Sequence, residues 1–587
     1  MENRNYGNRG RREETSEDLR RKLRRIDHRG YPAYKDLRGQ YDFGGYRLFI
    51  DHVQGDPFAA PSHVSVHLSG RQAGFPGEWL ERDCRRIALQ DELLRRFGRA
   101  IGKYSRQAGG SGKNGVLSCS RPGQEILERS ACQFDPKSGA LTVRFLVGFP
   151  AAGRTVLAGE LEKILFNWLP ACVEEALLFS RLPAEKLKAV CDLADDQETL
   201  RNEVRRTGLV AFVADGSVLP RESGISQRPM KNAVPFRSPE EDRVTFKLPH
   251  RGTVTGMGIP AGITLIIGGG YHGKSTLLNA LERGIYNHIA GDGREFIVTD
   301  RNAVKIRAED GRCVNRDDIS LFIRSLPNGK STADFSTEDA SGSTSQAASC
   351  VEAIAAGAGC LLMDEDTCAT NFMVRDSLMQ RIVSPEEEPI IPYLSRMRAL
   401  GAEGVSTVLV AGSSGDFFRV ADRVIQMNQY VPRDVTKKVR EILSENGVEA
   451  ETGESECGKD RSARESGTRR CPQAGPEFHG RNGRGPKSKV LGPDGFMIGR
   501  GTVDLRGVEQ IADSEQLESL CRELIRAAEH GMDGRTPVKR LAEEMESEIR
   551  KTLRSAAGDR PVPGNLAEIR SLEIAAAVDR CRMLRWK

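Results

Sequence analysis

Ile263-Thr264-Leu265-Ile266-Ile267-Gly268-Gly269-Gly270-Tyr271-His272-Gly273-Lys274-Ser275-Thr276 decides the fold. A short apolar run gives way to a glycine loop in the pattern G-x-x-x-x-G-K-[ST], and a helical stretch follows from Thr276. Buried strand, glycine loop and helix in that order make a phosphate cradle. The glycines let successive backbone N–H groups turn inward, and the helix directs its positive end at the anion. Lys274 neutralises the β and γ phosphates, and Ser275 holds Mg²⁺. Gly268, Gly269, Gly270, Tyr271, His272, Gly273, Lys274, Ser275 and Thr276 are the expected nucleotide-binding residues, with His272 packing the loop itself. Another run, Gly109 to Gly115, has Gln107 in place of the first glycine and Asn114 in place of the Mg²⁺ hydroxyl, and reads as a basic hairpin loop.

Working outward, Cys360-Leu361-Leu362-Met363 is another buried strand, and it ends in Asp364-Glu365. An apolar strand closing on two carboxylates suits Mg²⁺-dependent hydrolysis: Asp364 holds the metal and Glu365 takes the proton of the attacking water. Between the two motifs lies Ser336 to Gln346, small hydroxyl residues and glycine at the start of a helical pattern over 347–358. Free N–H groups, hydroxyls and the helix dipole converge there as a second anion site. Strand and helix patterns alternate throughout 251–430, which calls for an α/β domain with a largely parallel sheet.

Ala340-Ser341-Gly342-Ser343-Thr344 resembles a divergent signature loop of ABC ATPases, and Asp364 to Asn371 resembles the run that leads into their D-loop, with Asn371 where an aspartate usually stands. Ala421-Asp422-Arg423-Val424-Ile425 is similar to the strand after their switch. Ser413 sits where the switch carries a histidine, and no Q-loop glutamine precedes the signature. With Asp51 to Ala59, Arg121 to Glu125, Val213 to Ser217 and Gly256 to Pro260, the chain resembles the ATPases of the ABC class, over about 40–430 most closely. The resemblance implies an ABC-type core flanked by its own N- and C-terminal domains. It also implies a homodimer in which Ser341, Gly342 and Ser343 of one subunit face the γ-phosphate held by the other, with Ser413 beside it. An aromatic from outside the core stacks on adenine in such enzymes, and Phe58 is the candidate. Kinetoplastid members are associated with mitochondrial RNA processing, which favours nucleic acid as the partner, RNA before DNA.

The 587 residues exceed one core, and the composition shifts mark five segments. These are a basic, unstructured head at 1–36, an N-terminal α+β domain at 37–250, the ATPase core at 251–430, a Gly/Ser/Arg-rich linker or insertion at 431–495, and a mainly helical C-terminal domain at 496–587. A net charge of +5 is too mild to argue nucleic-acid binding, so that case rests on local clusters. Arg85, Arg86, Arg95 and Arg96 lie along one helical pattern, Lys103 and Lys113 follow in a glycine-rich stretch, and Lys231 and Arg237 sit in a later loop. The competing reading is a solvated helix face, given the interleaved acids Asp83, Asp91 and Glu92. Thirteen scattered cysteines without a C-x-x-C pair point to reduced thiols inside a cell, in the cytoplasm or else the mitochondrion. No apolar run approaches a membrane span, so insertion is not expected. Two functions compete with a nucleic-acid-coupled ATPase: a clamp that ATP merely closes, with little turnover, and the soluble subunit of a transporter.

Overall fold

In the computed structural model, which describes residues 14–375, 381–383, 387–449, 451, 470–480, 485–555 and 562–587, the chain divides into two compact units. The first is Met1–Pro122, Leu127–Asp192 and Lys551–Ala567; the other is Gly123–Ile126, Leu193–Arg550 and Glu568–Lys587. No helix among the described residues is long and apolar enough to cross a membrane.

Apolar–polar alternation builds the first unit. Strands β1 (Arg47–His52), β2 (Ser62–Leu68) and β3 (Leu141–Val147) pair antiparallel in that order. Leu48, Ile50, Val64, Val66, Val143 and Phe145 recur at period two and enter one core. The expected unstructured head is corrected in part. Helix α1 (Ser16–Ile26) starts at a capping box between Thr15 and Asp18 and buries Leu19, Leu23 and Ile26. Those three, at helical spacing, form an apolar stripe that the surrounding arginines obscure in the sequence. Residues 1–13 lie outside the described residues. Helix α2 (Asp83–Gly102) buries Phe97 edge-on against Phe145, with ring centroids 5.3 Å apart. The glycine loop at 109–115 joins α2 to the short strand Leu117–Ser118, so it is not a hairpin.

The second unit carries two sheets. β4 (Leu209–Ala214), β5 (Arg243–Leu248), β6 (Gly252–Pro260) and β8 (Ile297–Thr299) pair antiparallel in the order β5-β6-β4-β8. The β5–β6 hairpin crosses the boundary expected at residue 251. The other sheet runs β9 (Ala303–Ile306), β10 (Cys360–Asp364), β11 (Ser406–Val410), β7 (Ile263–Ile267), β12 (Arg423–Asn428) and β13 (Val431–Asp434). The first five are parallel, and only β13 is antiparallel. β10 and β11 are buried along their whole length, as their near-continuous apolar sequences require in a sheet covered on both faces. This is the mixed α/β fold of a P-loop ATPase. Helices α3 (Lys274–Arg283) and α4 (Gly342–Ala356) follow the two turns expected to bind anions.

The linker expected from 431 begins later. β13 and α5 (Thr436–Glu445) still belong to the core, because Val431 to Asp434 pair with β12 and Val439 is buried. Residues 450, 452–469 and 481–484 lie outside the described residues. The C-terminal part is largely helical, with α6 (Ser514–His530), α7 (Val538–Arg554) and α8 (Ser571–Asp579). The chain after α8 is not helical, since Leu584–Trp586 is a strand paired with Pro472–Ala474.

Candidate nucleotide site

β7 lies between β11 and β12, so the loop leaving it emerges at the C-terminal edge of the parallel strands. Gly268 is left-handed at φ +141°, and a Cβ there would lie 2.3 Å from the Met427 carbonyl oxygen, so only glycine fits. Gly273, at φ +97°, caps α3. Tyr271 also adopts a left-handed conformation, φ +62°, with its ring 99% exposed at the loop tip. The Lys274 ammonium donates to the carbonyls of Gly268 and Gly269 at 2.8 and 2.9 Å. His272 packs the loop: its Nδ1 accepts the Gln429 N–H at 3.1 Å and its carbonyl accepts the Tyr430 N–H at 3.1 Å.

β10 places Asp364 and Glu365 beside that loop. Asp364 is buried, and one of its oxygens accepts the Asp366 N–H at 3.2 Å. Strand pairing sets Asp364 level with Val410, so the turn after β11 faces Glu365. Glu365 accepts the Gly412 N–H at 2.6 Å, the Ser413 N–H at 3.0 Å and the Ser413 hydroxyl. A Cβ on Gly412 would lie 3.9 Å from both Glu365 Oε2 and Lys274 Cε, so this turn stands between the lysine and the carboxylate.

The other anion site forms as a helix N-terminus. Ser341 is the N-cap of α4, and its hydroxyl pairs with that of Thr344 at 3.0 Å. Gly342 opens the helix. Ser343 donates to the Asn371 side-chain oxygen at 2.7 Å, and buried Gln346 accepts the Ala369 N–H at 2.8 Å, which ties this turn to the segment after Glu365. Ser341, Gly342 and Ser343 are thus brought together at one helix end. Lys274, Glu365 and Ser413 meet at another place.

A cavity of about 770 Å³ opens beside Gly270 to Thr276. Its apolar wall is Leu219, Pro220, Met230, Val234 and Phe236 with Met427 and Tyr430. Sequence reasoning missed this wall. The segment has no strand or helix period, and its place is set by a distant anchor. Arg221 donates to both Asp292 oxygens, at 2.9 and 3.2 Å, and the His288 ring pairs with Asp292 at 2.9 Å. Burial alone would raise the Asp292 carboxyl, but the His288 ring and the Arg221 charge outweigh it and hold the group below its usual range. Phe58, the sequence candidate for an adenine partner, belongs to the first unit.

The expected basic face on α2 is corrected by its own acids. Arg86 is buried against Asp83 at 2.6 Å, Arg95 pairs with Asp91 at 2.6 Å and Arg96 with Glu92 at 2.6 Å, all at helical i,i+3 or i,i+4 spacing. Lys103 pairs with Glu175 at 2.6 Å, and Arg85 donates to the Glu78 carbonyl at 3.3 Å. Lys113, Lys231 and Arg237 are exposed.

Comparison with known proteins identifies three segments of the chain. Residues 183–463 match an ABC-class ATPase P-loop domain, residues 16–180 the N-terminal domain of ATPases of the ABC class, and residues 487–587 the MRB1590 C-terminal domain. The chain is 35% identical over 189 residues to the uncharacterized protein MJ1628 of Methanocaldococcus jannaschii. That match takes in 30% of this chain and 42% of the relative, so the chain spans less than half the length of that protein. Among solved structures, an ATP-binding cassette of an ABC transporter, MJ1267 in its ADP conformation, aligns at 14% identity and a TM-score of 0.23, over 34% of this chain and 89% of its own. A bacterial Atm1-family ABC exporter with ATP bound aligns at 16% identity and a TM-score of 0.23, over 42% and 43%.

Proposed function

The chain is built around an ABC-class ATPase P-loop domain, with the N-terminal domain of that class before it and an MRB1590 C-terminal domain after it, and from this we propose that it hydrolyses ATP as a homodimer and couples closure to nucleic acid, RNA before DNA. The observation that carries the reading is the position of Gly412, whose added Cβ would lie 3.9 Å from both Lys274 Cε and Glu365 Oε2, because the cation and the carboxylate then flank one and the same turn. Lys274 exchanges the Gly268 and Gly269 carbonyls for the β and γ phosphates. The purine lies in the adjoining cavity against Tyr430 and the apolar wall. The Ser275 hydroxyl and the buried Asp364 carboxylate form an all-oxygen donor pair that fits Mg²⁺, and Asp364 keeps one oxygen outside its Asp366 bond. Bound there, Mg²⁺ would offset charge on the β and γ phosphates. Glu365 orients the attacking water and accepts its proton, while Ser341 to Ser343 of the second subunit donate N–H and hydroxyl groups to the γ-phosphate.

For the nucleic acid, the loop around Lys231 and Arg237 is a better candidate than α2, whose cations already serve neighbouring acids. Met230 and Val234 of that loop also line the nucleotide cavity, which gives a physical route between the two ligands. The alternative, an ATP-closed clamp with little turnover, is favoured by one observation: both Glu365 oxygens are held by Gly412 and Ser413, which leaves little room to accept a proton.

The test is phosphate release by wild-type protein and Glu365→Gln, each with single-stranded RNA, double-stranded RNA and DNA. Hydrolysis stimulated by RNA and reduced about 100-fold in the variant is expected. Tight ATP binding with no release in wild type would select the clamp. Equal turnover in both proteins would remove Glu365 from the base role.

A further inference from the structure

The turn at Ala340 to Gly342 does not hold its own shape. Ala340 is bonded on both sides by a neighbouring segment: its carbonyl accepts the Gly311 N–H at 2.8 Å, and its N–H donates to the Arg312 carbonyl at 2.9 Å. One turn on, the Ser345 hydroxyl donates to the Gly342 carbonyl at 2.9 Å and accepts the Glu309 N–H at 2.9 Å. Gly342 is boxed in, since a Cβ there would lie 3.2 Å from the Asp310 carboxylate and 3.6 Å from the Ala369 methyl. The 309–312 segment is thus the mould of the turn.

That mould is in turn gripped by the C-terminal end of the second unit. Arg580, just past α8, donates through Nε to Glu309 Oε2 at 3.0 Å and through Nη2 to Glu309 Oε1, a two-pronged pair with both side chains largely buried. Burial would raise the Glu309 carboxyl, but Arg580, helped by Arg312, outweighs it and holds the group at about 2. Arg580 is itself aimed by a bond from Nη1 to the Ala576 carbonyl at 3.0 Å. Two residues later, Arg582 bridges the two segments beside the turn, with bonds of 2.7 Å to the Gly311 carbonyl and 3.0 Å to Glu338. The fork matters, because a lysine cannot hold both Glu309 oxygens in one plane.

We infer that Arg580 is a positioning residue for the hydrolysis proposed above: acting through Glu309, it sets the Ser341–Ser343 turn in the form that receives the γ-phosphate of a second subunit, with Arg582 as an outer strap. The inference rests on that reading of the site. It makes the C-terminal domain part of the machinery for turnover, although none of its residues needs to touch ATP.

The test uses full-length Arg580→Met and two readouts, steady-state hydrolysis and dimerisation driven by AMP-PNP. Expected are a kcat lowered at least about tenfold with KM within about twofold, and AMP-PNP-driven dimerisation weakened about tenfold. Mixing Arg580→Met with Lys274→Ala should restore turnover above the sum of the two, because one mixed site then pairs an intact P-loop with an intact turn. Arg580→Lys should recover part of kcat. Since breaking a buried pair destabilises the chain, Arg582→Ala, at a half-exposed site, is the second variant, with kcat expected to fall about threefold. Wild-type kcat in Arg580→Met, a KM raised by as large a factor as kcat falls, or no complementation would each overturn the inference. A wild-type chain that dimerises with AMP-PNP yet releases no phosphate would end the hydrolysis reading alone, and dimerisation would then decide on Arg580.

Discussion

The P-loop and the Ala340–Gly342 turn both open a helix at its N-terminus, yet they are made in different ways. The P-loop draws most of its shape from residues within it, namely Gly268 and Gly273 at positive φ, Lys274 folded onto its own loop, and the strand just before, with Met427 to Tyr430 as its backing. The Ala340–Gly342 turn contains no positive-φ glycine, and its geometry comes from Glu309, Gly311 and Arg312, which are gripped by Arg580 and Arg582. A cradle built from its own backbone carries its function in a short motif. One shaped from outside does not, which is why the P-loop was plain in the sequence while the other turn matched its motif only loosely.

The hardest way to break the P-loop side is to remove its cation. Lys274→Ala should weaken ATP binding by at least about a hundredfold, read by calorimetry, since a charge-assisted contact to phosphate is lost. Retained affinity would mean that the backbone amides suffice. A smaller effect separates the two readings of Glu365. Ser413→Ala frees one carboxylate oxygen, and phosphate release should rise about threefold if the hydroxyl restrains the base. A fall would show that Ser413 serves the nucleotide instead.

The smallest effect lies behind the Ala340–Gly342 turn. Arg312 joins the mould to Glu352 of α4 at 2.5 Å, and Arg470 reaches Asp579 at 2.9 Å in the same buried cluster. Burial pushes Asp579 up to about 6 and Asp317 well above its usual range, outweighing the arginines. The folded chain therefore binds protons that the unfolded chain has released. Stability contributed by Asp579 should fall as pH rises from about 4 to 6, and the raised Asp317 carries the decline in the same direction. Melting temperature across that window should decline by a few degrees in wild type and more gently in Asp579→Asn. Parallel slopes would place the titration elsewhere.

Where one face of an element is set by local spacing, the sequence was legible. β7, β10 and α4, with Lys274, Asp364 and Glu365 at their ends, could be read from apolar runs and the residues that close them. Reading failed where partners are distant. The arginines of α2 resembled a phosphate surface because their count is visible while their pairing with Asp83, Asp91 and Glu92 depends on rotamers and packing. α1 was hidden because three buried apolar residues are outnumbered by charges. The cavity wall at 219–236 has no period at all, and it is held by an Arg221–Asp292 contact that no local pattern signals. The MRB1590-type end of the chain gave no hint that it bears on the ATPase core.

The position of Arg580 also sets an order in time. A growing chain acquires its P-loop long before the ribosome reaches the residue that shapes the other cradle. On the proposed reading, a chain that ends before Arg580 would carry the P-loop but not the pair to Glu309 that backs the other turn.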